Sequence, residues 1–498
     1  MRLSPPLRAL LAGLSLVACA EPPAPPTERP SLILVSIDTL RADHVGVYGY
    51  ERDTTPNLDR WAEGAIVFER AYALAAWTLV SHMTMLTGLF PAQHGVIGQN
   101  RALSPDIPLI AERLKAAGYR TYALHEEGAW IDERHGFERG FDLFEGHSGL
   151  EQADAHLRTL LPELEQDGPF FLFLHVFDVH CGDLTKARAP YEAPEPFQSM
   201  FSQGLPPLPD VPLPELWKSK DALTPEQLQR LIAEYDAGIR HVDDQLGRWL
   251  DELERRGLAR GALTIVTADH GEALGQHGKL NEHGDSWQAG LHVPLIVRTP
   301  DGRGAGTRVS EVVHLGDLVP TLLEAAGLPG DERLPGVSLL GRIPAERVVF
   351  GVDLPEAFVL RWPEKIVAGR DGKKATFRAT DLARDPEERA PTTGAEERFE
   401  ELKNEALAPG WPFPAPLVSR DLDPATRDAL AALGYAGETG ASDPAEEELN
   451  EELLATRPSG PAPEEGRSTG VRLLPLFLGL GAVWVVLIRR RRARTRHR

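Results

Sequence analysis

The chain is poor in cysteine, with two among 498 residues, Cys19 and Cys181. Cys19 lies at the end of an apolar N-terminal leader, which leaves Cys181 alone in the folded part; an internal disulfide is excluded and stability must come from packing. Positive charge is also scarce. The formal net charge is -21 even though the last ten residues carry seven Arg. That balance excludes a protein that grips a phosphate backbone through clustered Lys and Arg, so no nucleic-acid partner is expected. No internal repeat is present. What remains is a globular composition, 42% hydrophobic and 26% charged, sufficient for one large α/β domain and a smaller one.

The ends read as membrane attachments. Met1-Arg2, an apolar stretch and Leu16-Val17-Ala18-Cys19 have the pattern of a bacterial lipoprotein signal, in which Cys19 carries the lipid after cleavage; an ordinary secretory signal is the alternative. The order along the chain is then a signal peptide over 1–18, a Pro-rich tether over 19–30, the large α/β domain over 31–308, a C-terminal subdomain over 309–437, a stalk rich in Glu, Pro, Gly and Ala over 438–470, a transmembrane segment over 471–488 and an Arg-rich tail over 489–498. The uncharged run from Leu473 to Ile488 has 16 residues, about 24 Å as a helix against a hydrocarbon core of about 30 Å, short but sufficient if flanking Arg side chains snorkel. Positive residues beyond it place the tail in the cytoplasm and the large domain in the bacterial cell envelope, outside the cytoplasmic membrane. Removal of this end as a sorting signal is the other reading.

Ser31–Ile37, Phe170–Val176 and Leu263–Ala268 are short, continuously apolar runs, as expected of parallel strands buried on both faces. Each ends in polar residues: Asp38 after the first, Asp178 and His180 after the second, Asp269-His270 after the third. In open α/β sheets ligands sit beyond the carboxyl ends of the strands, so these groups should converge on one edge. Helical periodicity over Pro225–Arg256 and Pro108–Ala117, each followed by Gly, alternates with the strands. The expected fold is α/β, a doubly wound, mainly parallel sheet, with a smaller C-terminal α+β portion of antiparallel strands and a covering helix.

The segment Ser81–Thr87 reads as a helix stopped by Gly88, with Thr78 just before its N-terminus. Free N–H groups there stabilise an alkoxide or an ester oxygen. A Thr hydroxyl is a poor nucleophile unless a divalent metal lowers its pKa. Asp38, Asp269 and His270 are hard or borderline ligands that suit Mg, Mn, Ca or Zn, and their types do not choose among these.

Ile37-Asp38-Thr39-Leu40-Arg41, Tyr48-Gly49-Tyr50, the stretch from Thr78 to Gly88 with Pro91 and His94-Gly95, Asp269-His270-Gly271-Glu272, Val293-Pro294-Leu295-Ile296, Asp317-Leu318-Val319-Pro320-Thr321 and Leu334-Pro335-Gly336 occur in that order. Together they resemble the sulfatase family of the alkaline-phosphatase superfamily. The resemblance implies an alkaline-phosphatase-like hydrolase of sulfate or phosphate esters, of a small molecule, glycan or lipid, with one divalent metal. It assigns Asp38, Asp269, His270 and Thr78 to the metal, Thr78 to the nucleophile, and His180 and His283 to contact with the ester or protonation of the leaving group. Ser81, His82 and His175 fall at substrate-facing positions, and His277 falls nearby as a supporting group.

Departures from the family pattern matter as much. True sulfatases convert a Cys or Ser nucleophile to formylglycine; Thr78 cannot form that aldehyde, so no formylglycine is expected and a covalent intermediate on Thr78 must be resolved by water or an acceptor alcohol. Pro-Ser-Arg after the nucleophile is Val80-Ser81-His82 here, Thr39 replaces the second acid of an Asp-Asp pair, and Glu126-Glu127-Gly128 replaces the Lys-x-His that grips sulfate. Two other readings remain: a non-catalytic surface protein that keeps the fold, or a two-metal phosphodiesterase or phosphotransferase that adds Asp178, His180 and His283 as ligands.

Overall fold

Three buried apolar runs build the centre of the molecule. The computed structural model describes residues 29–181, 190–211, 216, 223–280, 283–371, 374–407 and 418–419. In chain order the elements are β1 (Leu32–Ile37), α1 (Pro56–Ala62), β2 (Ile66–Tyr72), α2 (Thr78–Thr87), α3 (Pro91–His94), β3 (Arg101–Ala102), α4 (Ile110–Ala116), β4 (Arg120–Glu126), β5 (Leu143–His147), α5 (Gly149–Leu164), β6 (Phe170–Val176), α6 (Pro225–Arg255), β7 (Leu263–Thr267), β8 (His292–Val293), β9 (Leu295–Arg298), β10 (Thr307–His314) and α7 (Leu318–Ala325). The antiparallel layer follows: β11 (Val349–Asp353), β12 (Glu356–Arg361), β13 (Glu364–Asp371), β14 (Lys374–Asp381), β15 (Thr392–Thr393) and α8 (Glu396–Ala406).

The large sheet runs β10-β2-β9-β7-β1-β6-β4-β5, with β8 paired to β2. β1 lies between β7 and β6, parallel to both, and all residues of these three strands are buried. Pairing of β4 with β5 and β6, and of β2 with β10, is also parallel, whereas β9 runs antiparallel to β7 and β2. The doubly wound, mainly parallel sheet expected from the sequence is therefore present. Its register matters for the site: Ser36 of β1 stands opposite His175 of β6.

The long helix α6 starts where its sequence says it should. Thr224 accepts from the Gln227 N–H at 3.2 Å while the Gln227 side chain accepts from the Thr224 N–H at 3.0 Å, a reciprocal cap with Pro225 at the first helical position. Its apolar stripe, Leu231, Tyr235, Ile239, Val242, Leu246 and Leu250, enters the core. From that stripe the Tyr235 hydroxyl donates to the Thr39 carbonyl at 2.7 Å and accepts from the Arg41 N–H at 3.1 Å, which fixes the chain just beyond Asp38.

The division expected at residue 308 falls inside β10. Residues through His314 belong to the large sheet, since β10 pairs along β2 as far as Tyr72, and the antiparallel layer begins only at Val349. That layer has the order β11-β12-β13-β14-β15 and is covered by α8 through Phe399 and Leu402. Tyr72, Leu74 and Phe90 of the large layer share a second core with Phe350, Phe358 and Val367. Among the described residues no helix is long and apolar enough to cross a membrane. The expected signal over 1–18, the tether as far as residue 28, the stalk over 438–470, the membrane segment over 471–488 and the tail over 489–498 lie outside the described residues.

Candidate active site

β1 and β7 end side by side, and the residues that follow them meet. Asp38, Asp269 and His270 are all fully buried, and one donor atom from each lies within 4.8 Å of the others. The His270 ring is oriented by its own backbone turn: Nδ1 is 2.8 Å from the Gly271 carbonyl, which can only accept, so Nδ1 carries the proton and Nε2 presents its lone pair. That Nε2 lies 3.3 Å from Asp269 Oδ2, 3.8 Å from Asp38 Oδ1 and 3.2 Å from Thr78 Oγ1. Asp269 is aimed through its other oxygen, which accepts from the N–H groups of Thr39 at 3.2 Å and His270 at 2.8 Å. Thr39 adopts φ 53° to make this bond, a left-handed conformation in which a β-branched residue is strained.

The electrostatics of the cluster call for a cation. Asp38 Oδ1 and Asp269 Oδ2 are buried and accept no hydrogen bond among the described residues. Burial, then the neighbouring Asp269, pushes Asp38 well above the usual carboxylate range, and burial pushes Asp269 up to about 7. Burial lowers His270 to about 3, which keeps the imidazole neutral. Two bare carboxylate oxygens converging on an imidazole lone pair make a donor set that fits a divalent metal.

Thr78 is the first residue of α2 rather than the residue before it, with Trp77 as the N-cap in extended conformation. Its Oγ1 donates to Asp38 Oδ2 at 3.3 Å, and the side chain is fully buried. The hydroxyl thus sits at the positive end of α2 and beside the metal-ligand cluster at once.

The structure divides the remaining site residues into two groups. His82, Ser81 and His175, expected to face substrate, are held by protein. His82 Nδ1 lies 2.9 Å from the Thr78 carbonyl and therefore donates; its Nε2, 2.9 Å from Ser36 Oγ, accepts. Ser81 donates to the Asp269 carbonyl at 2.6 Å. His175 Nδ1 lies 3.5 Å from the Glu126 N–H and Nε2 lies 3.2 Å from Asp38 Oδ2, so this ring orients Asp38. All three are fully buried and brace the cluster from behind. Ser36 has no signal in the sequence, because its partner His82 lies on α2 and only the tertiary packing brings that helix against β1.

His180 and His283, by contrast, are partly exposed and face each other with Nε2 atoms 3.3 Å apart. His180 Nδ1 donates to the Cys181 carbonyl at 2.6 Å, so its Nε2 presents a lone pair toward His283. The His283 ring is 4.9 Å from that of His270, next to the cluster. Burial lowers both His180 and His283 to about 3. Asp178, the third ligand of the two-metal reading, turns elsewhere: Oδ1 accepts from the Leu150 N–H at 3.3 Å, at the start of α5. Glu126 stays on that side too, with Oε2 2.9 Å from the Gly149 N–H and 3.1 Å from His147 Nδ1. His277 is exposed and stacks on Trp287 at 3.6 Å. Glu272 is fully buried, and burial pushes its pKa to about 8.

A buried hydroxyl at a helix start beside a cluster able to hold a metal, at the carboxyl edge of a mainly parallel sheet, accords with an alkaline-phosphatase-like hydrolase of sulfuric or phosphoric esters. The chain belongs to the sulfatase family, whose model matches residues 30–328. It is 24% identical over 460 residues to an arylsulfatase of Clostridium perfringens, covering 75% of this chain and 92% of the relative. It is 26% identical over 428 residues to an N-acetylglucosamine-6-O-sulfatase of Bacteroides thetaiotaomicron, covering 68% and 76%. The crystal structure of the phosphonate monoester hydrolase of Agrobacterium radiobacter superposes with a TM-score of 0.61 at 21% identity, covering 79% of this chain and 100% of that one.

Proposed function

We propose that the protein hydrolyses, or transfers to an acceptor alcohol, a phosphoric or sulfuric ester through a covalent intermediate on Thr78. The observation that carries this reading is the position of Thr78 Oγ1, 3.3 Å from Asp38 Oδ2 and 3.2 Å from His270 Nε2 at the start of α2. A divalent ion held by Asp38, Asp269 and His270 would lower the pKa of the Thr78 hydroxyl and offset the charge of the ester oxygens. The residues of the chain do the rest. Oγ1 passes its proton to Asp38 Oδ2, its hydrogen-bond acceptor, and bonds to phosphorus or sulfur, the ester bond opposite breaks, and His283 hands a proton to the departing oxygen. A bound ester anion raises the pKa of this imidazole toward the working range, because an adjacent negative charge favours the imidazolium. Water or an alcohol then gives a proton to His283 and attacks the same centre, and Thr78 leaves and recovers its proton.

The residues favour phosphorus over sulfur. Thr78 forms no formylglycine, and Glu126, bonded to Gly149 and His147, stands where the family's Lys would draw in sulfate. A glycan or lipid ester is the substrate class in keeping with relatives named for sulfated sugars and with an extracytoplasmic, membrane-tethered site. That tether is proposed on the pattern around Cys19 and on the run Leu473–Ile488; metabolic labelling with palmitate should mark the wild type and miss Cys19→Ala.

The test is turnover of p-nitrophenyl phosphate, p-nitrophenyl phenylphosphonate and p-nitrophenyl sulfate with Mn, Zn, Mg or Ca, alongside elemental analysis. One metal equivalent and turnover abolished by Thr78→Ala and by Asp269→Ala are expected. Unchanged rates in both variants overturn the assignment. Two equivalents of Zn favour the two-metal reading instead.

A further inference from the structure

Between His283 and Gln288 the described residues form no strand, yet the backbone groups there are held from the antiparallel layer. The Ser286 N–H donates to Glu356 Oε2 at 3.0 Å, the Ser286 carbonyl accepts from Lys365 Nζ at 2.7 Å and the Gln288 N–H donates to Glu388 Oε2 at 2.7 Å. Lys365 and Glu388 are 1% exposed and pair at 2.8 Å. A buried ion pair is a poor source of stability, since desolvation offsets much of the attraction and an apolar pair of similar volume serves the core as well. What an apolar pair cannot do is donate to one backbone group of a turn and accept from another two residues on, and buried backbone groups require such partners.

The same layer also reaches the segment before the nucleophile. Asp353 Oδ2 accepts from the Ala76 N–H at 2.6 Å and the Val352 N–H donates to the Leu74 carbonyl at 2.9 Å. Gly351 permits this approach, because a Cβ there would lie 2.6 Å from the Leu74 oxygen. The two gripped segments are joined to each other, the Gly284 N–H donating to the Ala76 carbonyl at 2.8 Å. Ala76 is two residues before Thr78, and Gly284 is next to His283.

We propose that the Lys365–Glu388 pair is a positioning device for catalysis: it clamps Ser286 and Gln288 so that His283 is held in register with His180 and Thr78. This rests on the reading of His283 as the proton donor to the leaving group. Loss of the clamp should then harm esters with poor leaving groups, which need the proton, far more than those with good ones, which do not.

The experiment compares phenyl phosphate with p-nitrophenyl phosphate in the full chain. The variant is Lys365→Met with Glu388→Met, which leaves no unpaired buried charge; Lys365→Met with Glu388→Gln is the second variant if the first does not fold. The expected result is a loss of about 10- to 100-fold in kcat for phenyl phosphate, little change for p-nitrophenyl phosphate and in KM, faster hydrogen exchange at the Ser286 and Gln288 amides, and no further loss when His283→Gln is added. An equal loss on both esters, an unchanged ratio, or a loss that adds to that of His283→Gln overturns the clamp. If His283→Gln itself shows no dependence on the leaving group, the role of His283 falls first, and the positioning proposal falls with it.

Discussion

His270 Nε2 lies 3.2 Å from Thr78 Oγ1, although 192 residues separate them in the chain, and the ring is held in the one neutral tautomer that offers a lone pair there. With the bond from Oγ1 to Asp38 Oδ2, this contact ties the Thr78 hydroxyl to the Asp38–Asp269–His270 cluster. It joins the start of α2 to residues at the end of β7.

Thr78→Ser should keep kcat within about tenfold, since the hydroxyl remains at the helix start, whereas Thr78→Ala should cost about 10³-fold or more. Steady-state kinetics with p-nitrophenyl phosphate decide this. Equal losses in the two variants would mean that the methyl group, and not the hydroxyl, is what the site needs.

Asp269→Asn should reverse its effect on melting with metal content. Burial raises Asp269 to about 7 in the folded chain, above its unfolded value of about 4, so the folded state binds the extra proton and ionisation in the core costs stability as pH rises through that window. With chelator present, the variant should melt above wild type at pH 8, and the gap should close toward pH 4. With Mn or Zn present the wild type should melt higher, because only the carboxylate binds the ion. Differential scanning fluorimetry across pH reads both arms.

His82→Ala should destabilise the fold by about 2 kcal/mol or more, because Ser36 Oγ and the Thr78 carbonyl lose a buried partner. Burial lowers His82 to about 3, below its unfolded value, so its contribution is present at neutral pH and lost as pH falls from about 6.5. Urea titrations at pH 8 and pH 5 should therefore show a larger gap between wild type and variant at pH 8.

Gly271→Ala should lose metal affinity and activity together. A Cβ at this position would lie 2.1 Å from the Ala289 carbonyl oxygen, so the backbone that receives the His270 Nδ1 proton has to move. Titration with Zn or Mn should show affinity lowered about 10- to 100-fold, the size of effect that follows when a ligand's orienting partner shifts.

Much of the site was legible because it follows the rule for open α/β sheets. Asp38 and Asp269-His270 could be placed together from three apolar runs with polar ends, since strands buried on both faces read as continuous hydrophobic stretches and their carboxyl ends share an edge. Thr78 could be placed at a helix start from the Gly88 stop and the spacing before it. His82, Ser81 and His175 were legible only as positions. Their types do not say whether they meet a ligand or a neighbour.

Sequence by itself determined the sheet's central strands and the family, and it pointed to Asp38, Asp269, His270 and Thr78 as the candidate site, because each is written in local pattern and motif. Tertiary structure alone decided the rest. It placed Ser36 opposite His175 and beside His82, within the buried network behind Asp38 and Asp269. It carried the large sheet through β10 to His314, past the division expected at residue 308. And it brought Lys365, Glu388, Asp353 and Glu356 of the antiparallel layer onto the loops around His283 and Thr78. The reason is common to all three: strand order and the packing of one layer on another depend on long-range contacts, and no local period or spacing encodes which elements become neighbours.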